Sequence, residues 1–367
     1  MWTDNLVFMR LLTEYRDPVL VKDYVAKIRE TAVHAWNIME ICGGQTHSLV
    51  KNGLLDLLPE NVVMVHGPGC PVCVTPISLI DKAVYLAEQP NVILCSFGDM
   101  VRVPGGGKSL LQAKAAGSDV RILYSPLEAV NIAAKNPDKK IVFFAVGFET
   151  TAPGNALAVL HAQKLGLKNF SLLASHVLVP PAMEAILSDK FCNINAFLGA
   201  GHVCAIMGLE EYFPLAEKYK IPIVVAGFEP VDLLRAIYHA VLQLEAGKHE
   251  VENQYARVVK PEGNLRAKEI MYSVFEVGSR EWRGIGAIPN SGLVIKKNYQ
   301  DFDASHIFGL TIHSENTDTV CIAGEILRGK KKPFDCPAFG KTCTPANPLG
   351  APMVSSEGAC AAYFHYL

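Results

Sequence analysis

The sequence has no excess of positive charge: 34 Lys and Arg stand against 36 Asp and Glu, a formal net charge of −2. Nucleic acid and anionic membrane surfaces are met by clustered cations, so neither is an expected partner. No apolar run reaches the roughly 18 residues that suggest a bilayer-spanning helix. The first residues, Met1 to Tyr15, carry Asp4 and Glu14 and lack the basic-then-apolar layout of a secretory leader, which points to the cytoplasm. Low-complexity tracts are absent. Only 19% of residues are charged against 50% apolar, which excludes a disordered chain. At 367 residues the length prior is two or three domains.

What the chain does have is cysteine, ten in all. A reducing cytoplasm disfavours a disulfide framework, so metal binding or thiol chemistry is the expected use.

The first 245 residues read as short apolar runs, each followed by a helical stretch. The runs are Trp36–Ile41, Val62–His66, Val92–Ser96, Val120–Tyr124, Ile141–Val146, Phe170–Ala174, Ile194–Leu198 and Ile221–Ala226. Five or so residues, apolar nearly throughout, is the pattern of strands buried on both faces of a parallel sheet. Asp17-Pro18, Pro76, Pro180-Pro181 and Pro230 supply helix starts between them. Eight such units allow a barrel, but an internal echo between 143–149 and 224–229 favours two doubly wound α/β domains. The expected division is 34–128, 129–246 and an irregular third region 247–367, with the N-terminal helix 1–33 packed on the third.

In parallel α/β sheets, ligands sit beyond the carboxyl ends of the strands. The loop after the first strand holds Cys42-Gly43-Gly44-Gln45-Thr46-His47, and that after the second holds Gly67-Pro68-Gly69-Cys70-Pro71-Val72-Cys73. If the two strands are neighbours, three thiols share one rim. A cysteine opening a strand-to-helix turn faces the positive end of the helix dipole, which favours the thiolate. Cys70-x-x-Cys73 permits either a small disulfide ring or half of a metal site. His47, five residues after Cys42, is a candidate for proton transfer.

Cys321, Cys336, Cys343 and Cys360 form a second set, separated by 14, 6 and 16 residues in a stretch rich in Pro and Gly. Four thiolates so placed suit a 4Fe–4S cluster or a zinc site, and the spacing fits neither a zinc ribbon nor a bacterial ferredoxin. Cys95, Cys192 and Cys204 read as small core hydrophobes. The stretch 102–109 resembles a phosphate-binding loop but has Arg102 where the motif needs glycine. Asp99 and Glu149 follow strands and could hydrogen-bond at the rim. His176 and His202 also end strands and read as structural histidines. No C-x3-C-x2-C occurs, which argues against a radical-SAM enzyme.

The ordered set MEICGGQTH (39–47), GPGCPVC (67–73), SFGDMVRVPG (96–105), GFETTAPG (147–154) and the four-cysteine tail 321–364 resembles the hydrogenase maturation factor HypD family. One departure is Gln45, where many relatives carry histidine. The resemblance implies two Rossmann-like parallel-sheet domains and a third domain holding a 4Fe–4S cluster on Cys321, Cys336, Cys343 and Cys360. It implies a scaffold with redox activity, rather than a conventional turnover enzyme, on which the Fe(CN)2CO unit of nickel–iron hydrogenases is built. The partners implied are HypC, which passes the unit to the hydrogenase large subunit, and HypE, which delivers cyanide from a cysteine-borne thiocyanate. Cys42 matches the iron-binding thiol and Cys70 and Cys73 the redox pair, with His47, Asp99 and Glu149 adjusting protonation. From the residues alone, a stand-alone iron–sulfur thiol/disulfide reductase and a zinc-stabilised α/β binding module remain the alternatives.

Overall fold

The computed structural model describes residues 13–310 and 320–367. Residues 1–12 of the expected N-terminal helix and 311–319 of the third region lie outside this range. The strands are β1 (Trp36–Glu40), β2 (Val62–His66), β3 (Val92–Ser96), β4 (Val120–Ile122), β5 (Lys140–Gly147), β6 (Phe170–Val177), β7 (Ala196–Ala200), β8 (Ile223–Ala226), β9 (Val251–Asn253), β10 (Phe275–Trp282) and β11 (Gly286–Ile295). The first eight coincide with the expected runs, and the chain is α/β with two parallel-dominated sheets. Among the described residues no helix is long and apolar enough to cross a membrane.

The strands sort into sheets differently from the expected sequential halves. One sheet has the order β2-β1-β7-β8-β9, all parallel. The other has the order β10-β11-β6-β5-β3-β4, with only the β10–β11 and β11–β6 pairs antiparallel. The chain thus lays down β1 and β2, builds β3 to β6 in the second sheet, and returns with β7. A boundary at 128/129 would cut the second sheet between β4 and β5. Runs that are apolar throughout show that a strand exists but not which strand it pairs with.

The region 247–367 is not separate from the sheets. β9 extends the first, and the β10–β11 hairpin extends the second through Gly292 and Leu293 beside Val177 and His176. The N-terminal helix is also placed differently. Asp17 caps the helix Pro18–Thr31 by accepting from the Val19 N–H. Its buried Val25 and Ile28 share a core with Leu233, Ile237 and Val241 of the helix Pro230–Glu245, rather than packing on the four-cysteine segment. An apolar stripe on that long helix needs a cover, and this one supplies it.

Sheet order places the functional loops. In the first sheet β2 lies on one side of β1 and β7 on the other, so the order reverses between β1 and β7. A crevice opens at such a point beyond the carboxyl ends of the strands. The loops leaving β1 and β7 carry Cys42 and His202.

Candidate functional site

β1 and β2 pair in register, with Glu40 opposite His66, so the two cysteine loops leave side by side. The Gly67 N–H donates to the Glu40 carbonyl at 2.8 Å and the Gly43 N–H to the Gly69 carbonyl at 2.9 Å. A Cβ on Gly69 would overlap the Cys42 backbone, and one on Gly43 would lie 3.2 Å from the Cys70 Cβ. Glycine is needed at both positions for this approach.

Cys42 is the N-cap of the helix Gly43–Lys51. Its backbone N–H donates to the Glu40 carboxylate at 2.8 Å, which also accepts from the Thr46 hydroxyl and meets His66 Nδ1 at 2.8 Å. His66 Nε2 meets the Tyr363 hydroxyl at 2.9 Å. Burial pushes the Glu40 carboxyl up, against the pull of His66. The thiol differs from the sequence expectation. Burial, with the negative charges of Glu40 and Glu357, raises the Cys42 pKa well above its ordinary value. Desolvation therefore outweighs the helix dipole, and the resting group is the thiol.

The histidine at this thiol is His202, not His47. His202 Nδ1 lies 3.5 Å from Cys42 Sγ, and desolvation pushes its imidazole down to about 4, so the ring is neutral. His47 Nδ1 donates to the Ser356 carbonyl at 3.0 Å and its ring meets Tyr366 edge-on, tying it to the C-terminal segment. Gln45 is buried. It donates to the carbonyls of Gly199 and Ala226, both at 3.1 Å, and so pins the Cys42 helix to β7 and β8.

Cys70 and Cys73 are joined as a disulfide, with Cα atoms 5.2 Å apart, and both are buried. Their turn, Pro71–Val74, packs on the segment Ala351–Met353. Pro352 and Met353 also line the cavity that gathers Cys321, Cys336, Cys343 and Cys360. The remaining wall is apolar, with Ile326, Phe339 and Leu349. The Leu349 N–H donates to Cys343 Sγ at 3.4 Å, and a Cβ on Gly350 would overlap Cys321 Sγ. Burial raises the pKa of Cys360, and the other three thiols raise it further. Four soft donors around one apolar cavity, with a backbone N–H aimed at a sulfur, fit an iron–sulfur cluster. Among the described residues no group of three or more His, Cys, Asp or Glu side chains lies close enough together to hold a metal ion, so the fit is one of donor type and cavity, which a four-thiolate zinc site shares.

Asp99 lies in the turn Gly98–Arg102 after β3, 3.7 Å from Arg102, whose Nη2 donates to the Val354 carbonyl at 2.8 Å. Its charge acts on Glu357, whose Cβ and carbonyl lie against Gly43. Glu357 was not singled out from the sequence. Its signal is its place three residues before Cys360. Glu149 is buried at the end of β5. Its Oε1 accepts from the Val179 N–H at 2.8 Å, Oε2 has no hydrogen-bond partner among the described residues, and burial pushes the carboxyl up to about 8. It acts on Cys204 and Tyr212, and no hydrogen bond of its own joins it to Cys42. Cys95 and Cys204 are buried as expected and Cys192 is half-buried. His176 is a buried structural histidine that accepts from Asn155 Nδ2 at 2.9 Å.

Residues 19–367 match the family HypD, described as the hydrogenase formation hypA family. The "Hydrogenase maturation factor HypD" of Azotobacter vinelandii is 49% identical over 98% of this chain and 97% of its own length. The "Hydrogenase expression/formation protein HupD" of Azotobacter chroococcum is 48% identical, with the same coverage. The Escherichia coli K12 protein, again "Hydrogenase maturation factor HypD", is 47% identical over 98% of both chains.

Proposed function

Since the chain belongs to the HypD family of hydrogenase maturation factors, we propose that it is the scaffold on which the Fe(CN)2CO unit of nickel–iron hydrogenases is assembled. The iron is the cargo. Cys42 is its anchor on this chain, and a cysteine of a HypC-type partner is the second, since low-spin iron with cyanide and CO accepts soft thiolates. The observation that carries the reading is the meeting of the Cys42 loop with the Cys70–Cys73 turn across Gly43 and Gly69.

Glu40 holds the Cys42 backbone, and His202 lies against the thiol that must lose its proton on binding iron. Cyanide arrives as a thiocyanate on a cysteine of a HypE-type partner. Cleaving its C–S bond takes two electrons and one proton, leaving a thiol and iron-bound cyanide. Cys70 and Cys73, as a dithiol, release two electrons and two protons when they close to the disulfide. Glu357, Asp99 and His47 line the C-terminal side of this loop pair and adjust its protonation. Glu149 acts more remotely, through the Cys204–Tyr212 pair. Cys321, Cys336, Cys343 and Cys360 are the residues that would hold a 4Fe–4S cluster, which would supply one-electron reduction.

Iron analysis tests this reading. The complex with a HypC-type partner, purified without oxygen, should carry one iron beyond those accompanied by acid-labile sulfide. Cys42→Ala should lose that iron and keep the cluster. A variant that retains iron cyanide would overturn the assignment.

A further inference from the structure

The run Arg328-Gly329-Lys330-Lys331-Lys332 has no part in the scheme above. The chain as a whole carries a formal charge of −2, yet between Cys321 and Cys343 the cations Arg328, Lys330, Lys331, Lys332 and Lys341 stand against only Glu325 and Asp335. All four lysines are exposed. Lys330 pairs with Asp189 at 2.6 Å and Lys331 with Glu325 at 3.3 Å. The Asp335 carboxylate is turned to the backbone, where it accepts from the Lys332 N–H at 2.7 Å. Among the described residues no ion pair holds the ammonium of Lys332 or Lys341.

These two cations flank the four-cysteine cavity. The turn Pro333–Asp335 is capped by Lys332 at one end and by Cys336 at the other. The Lys341 N–H donates to the Ala338 carbonyl at 3.2 Å. Cys336 and Ala338 both line the cavity. The cavity is not equally closed on all sides: Cys343 and Cys360 are buried, whereas Cys321 and Cys336 are half-buried. Phe334, two residues before Cys336, is 58% exposed. Its ring meets that of Phe339, part of the cavity wall, edge-on at 5.3 Å. An exposed aromatic flanked by cations has the composition of a docking face.

We propose that the face formed by Lys332, Phe334 and Lys341, with Lys330 and Lys331 at its edge, docks an acidic one-electron carrier protein that reduces a cluster held in the cavity. The inference rests on the reading that the four cysteines hold a 4Fe–4S cluster. One electron leaves the carrier, which is oxidised, and enters the cluster, which is reduced; no bond forms or breaks. Charge and position argue for this occupant. Cations without carboxylate partners attract an acidic surface and steer its approach. A carrier must also bring its own centre close to the cluster, and this face adjoins the half-buried Cys336. Opening the Cys70–Cys73 disulfide consumes two electrons, so a one-electron carrier must dock twice. A small, charge-led contact releases quickly enough for that.

The test uses an acidic 2Fe–2S ferredoxin, reduced beforehand, as the probe. Stopped-flow absorbance follows cluster reduction anaerobically in wild type, Lys332→Glu/Lys341→Glu and Lys332→Arg/Lys341→Arg. The wild-type rate should fall at least tenfold as salt rises from about 0.01 M to about 1 M, because the screening length shrinks from about 30 Å to about 3 Å. At low salt K332E/K341E should be at least tenfold slower, and K332R/K341R should stay close to wild type. Photoreduced deazariboflavin, a small uncharged donor, should reduce all three alike. Calorimetry with the oxidised ferredoxin should show the same order of affinity. A rate independent of salt, or K332E/K341E as fast as wild type, would overturn the proposal. So would a K332E/K341E chain that keeps its ferredoxin rate and loses its HypC-type partner, since the face would then belong to that partner. A wild-type protein without iron and acid-labile sulfide would remove the cluster reading itself, and this inference with it. A cluster present but reduced without regard to charge would remove only the inference.

Discussion

The Tyr363 hydroxyl lies 2.9 Å from His66 Nε2. His66 passes from there to Glu40, and Glu40 to the Cys42 backbone. Tyr363 stands three residues beyond Cys360 on the helix Ala359–Tyr366, which packs on the Cys42 helix. One buried hydrogen-bonded line therefore joins the segment bearing a candidate cluster ligand to the backbone N–H of Cys42, the candidate iron anchor.

Tyr363→Phe keeps the ring, which meets His66 edge-on, and deletes only the hydroxyl. His66 Nε2 then loses that partner in a buried site. The expected cost is about 1–3 kcal/mol, read from chemical denaturation, together with faster alkylation of Cys42. Wild-type stability in Y363F would show that the line carries no load.

Gly69→Ala forces a methyl group into the Cys42 backbone. Overpacking of this kind costs about 1–3 kcal/mol, and the Cys42 and Cys70 loops must move apart. Gly107→Ala is the control, because no atom of the described residues lies within 4 Å of a Cβ built there. It should stay within about 0.5 kcal/mol of wild type. Equal melting temperatures for the two variants would contradict the close approach.

Glu149 gives a pH dependence of stability. Its carboxyl sits at about 8 in the folded chain against 4.5 ordinarily, so the folded state keeps a proton that the unfolded state releases. The stabilisation is full below pH 4.5 and is lost as pH rises through about 8. Burial also raises Glu211 nearby, in the same direction. Cys204, pushed up to about 12, and Tyr212, raised well above its ordinary value by burial, keep their protons throughout this range. The difference between wild type and Glu149→Gln isolates Glu149. Urea midpoints at pH 5 and pH 8 should fall less for E149Q than for wild type. Parallel falls would contradict the assignment.

Local pattern was enough for β1 to β8, because short apolar runs between proline-started helices leave few other readings. It did not show that β7 returns beside β1, since strand partners are chosen by packing across more than a hundred residues. That is why His47, near Cys42 in sequence, drew attention while His202, near it in space, read as structural. β10 and β11 expose much of their surface and carry no continuous apolar run, so they read as irregular. The Cys42 thiol defied its helix position because burial is a tertiary property that one loop does not reveal. The four distal cysteines stand out in the sequence as a set in a Gly- and Pro-rich stretch, and the fold gathers them around one cavity.

The most direct test of the scaffold role is an infrared spectrum of the chain purified without oxygen together with its HypC-type partner. Cyanide and CO on iron absorb where protein is nearly transparent. The account predicts those bands in wild type and their loss in Cys42→Ala with the cluster retained. A wild-type complex that holds the cluster and shows no such bands would contradict it.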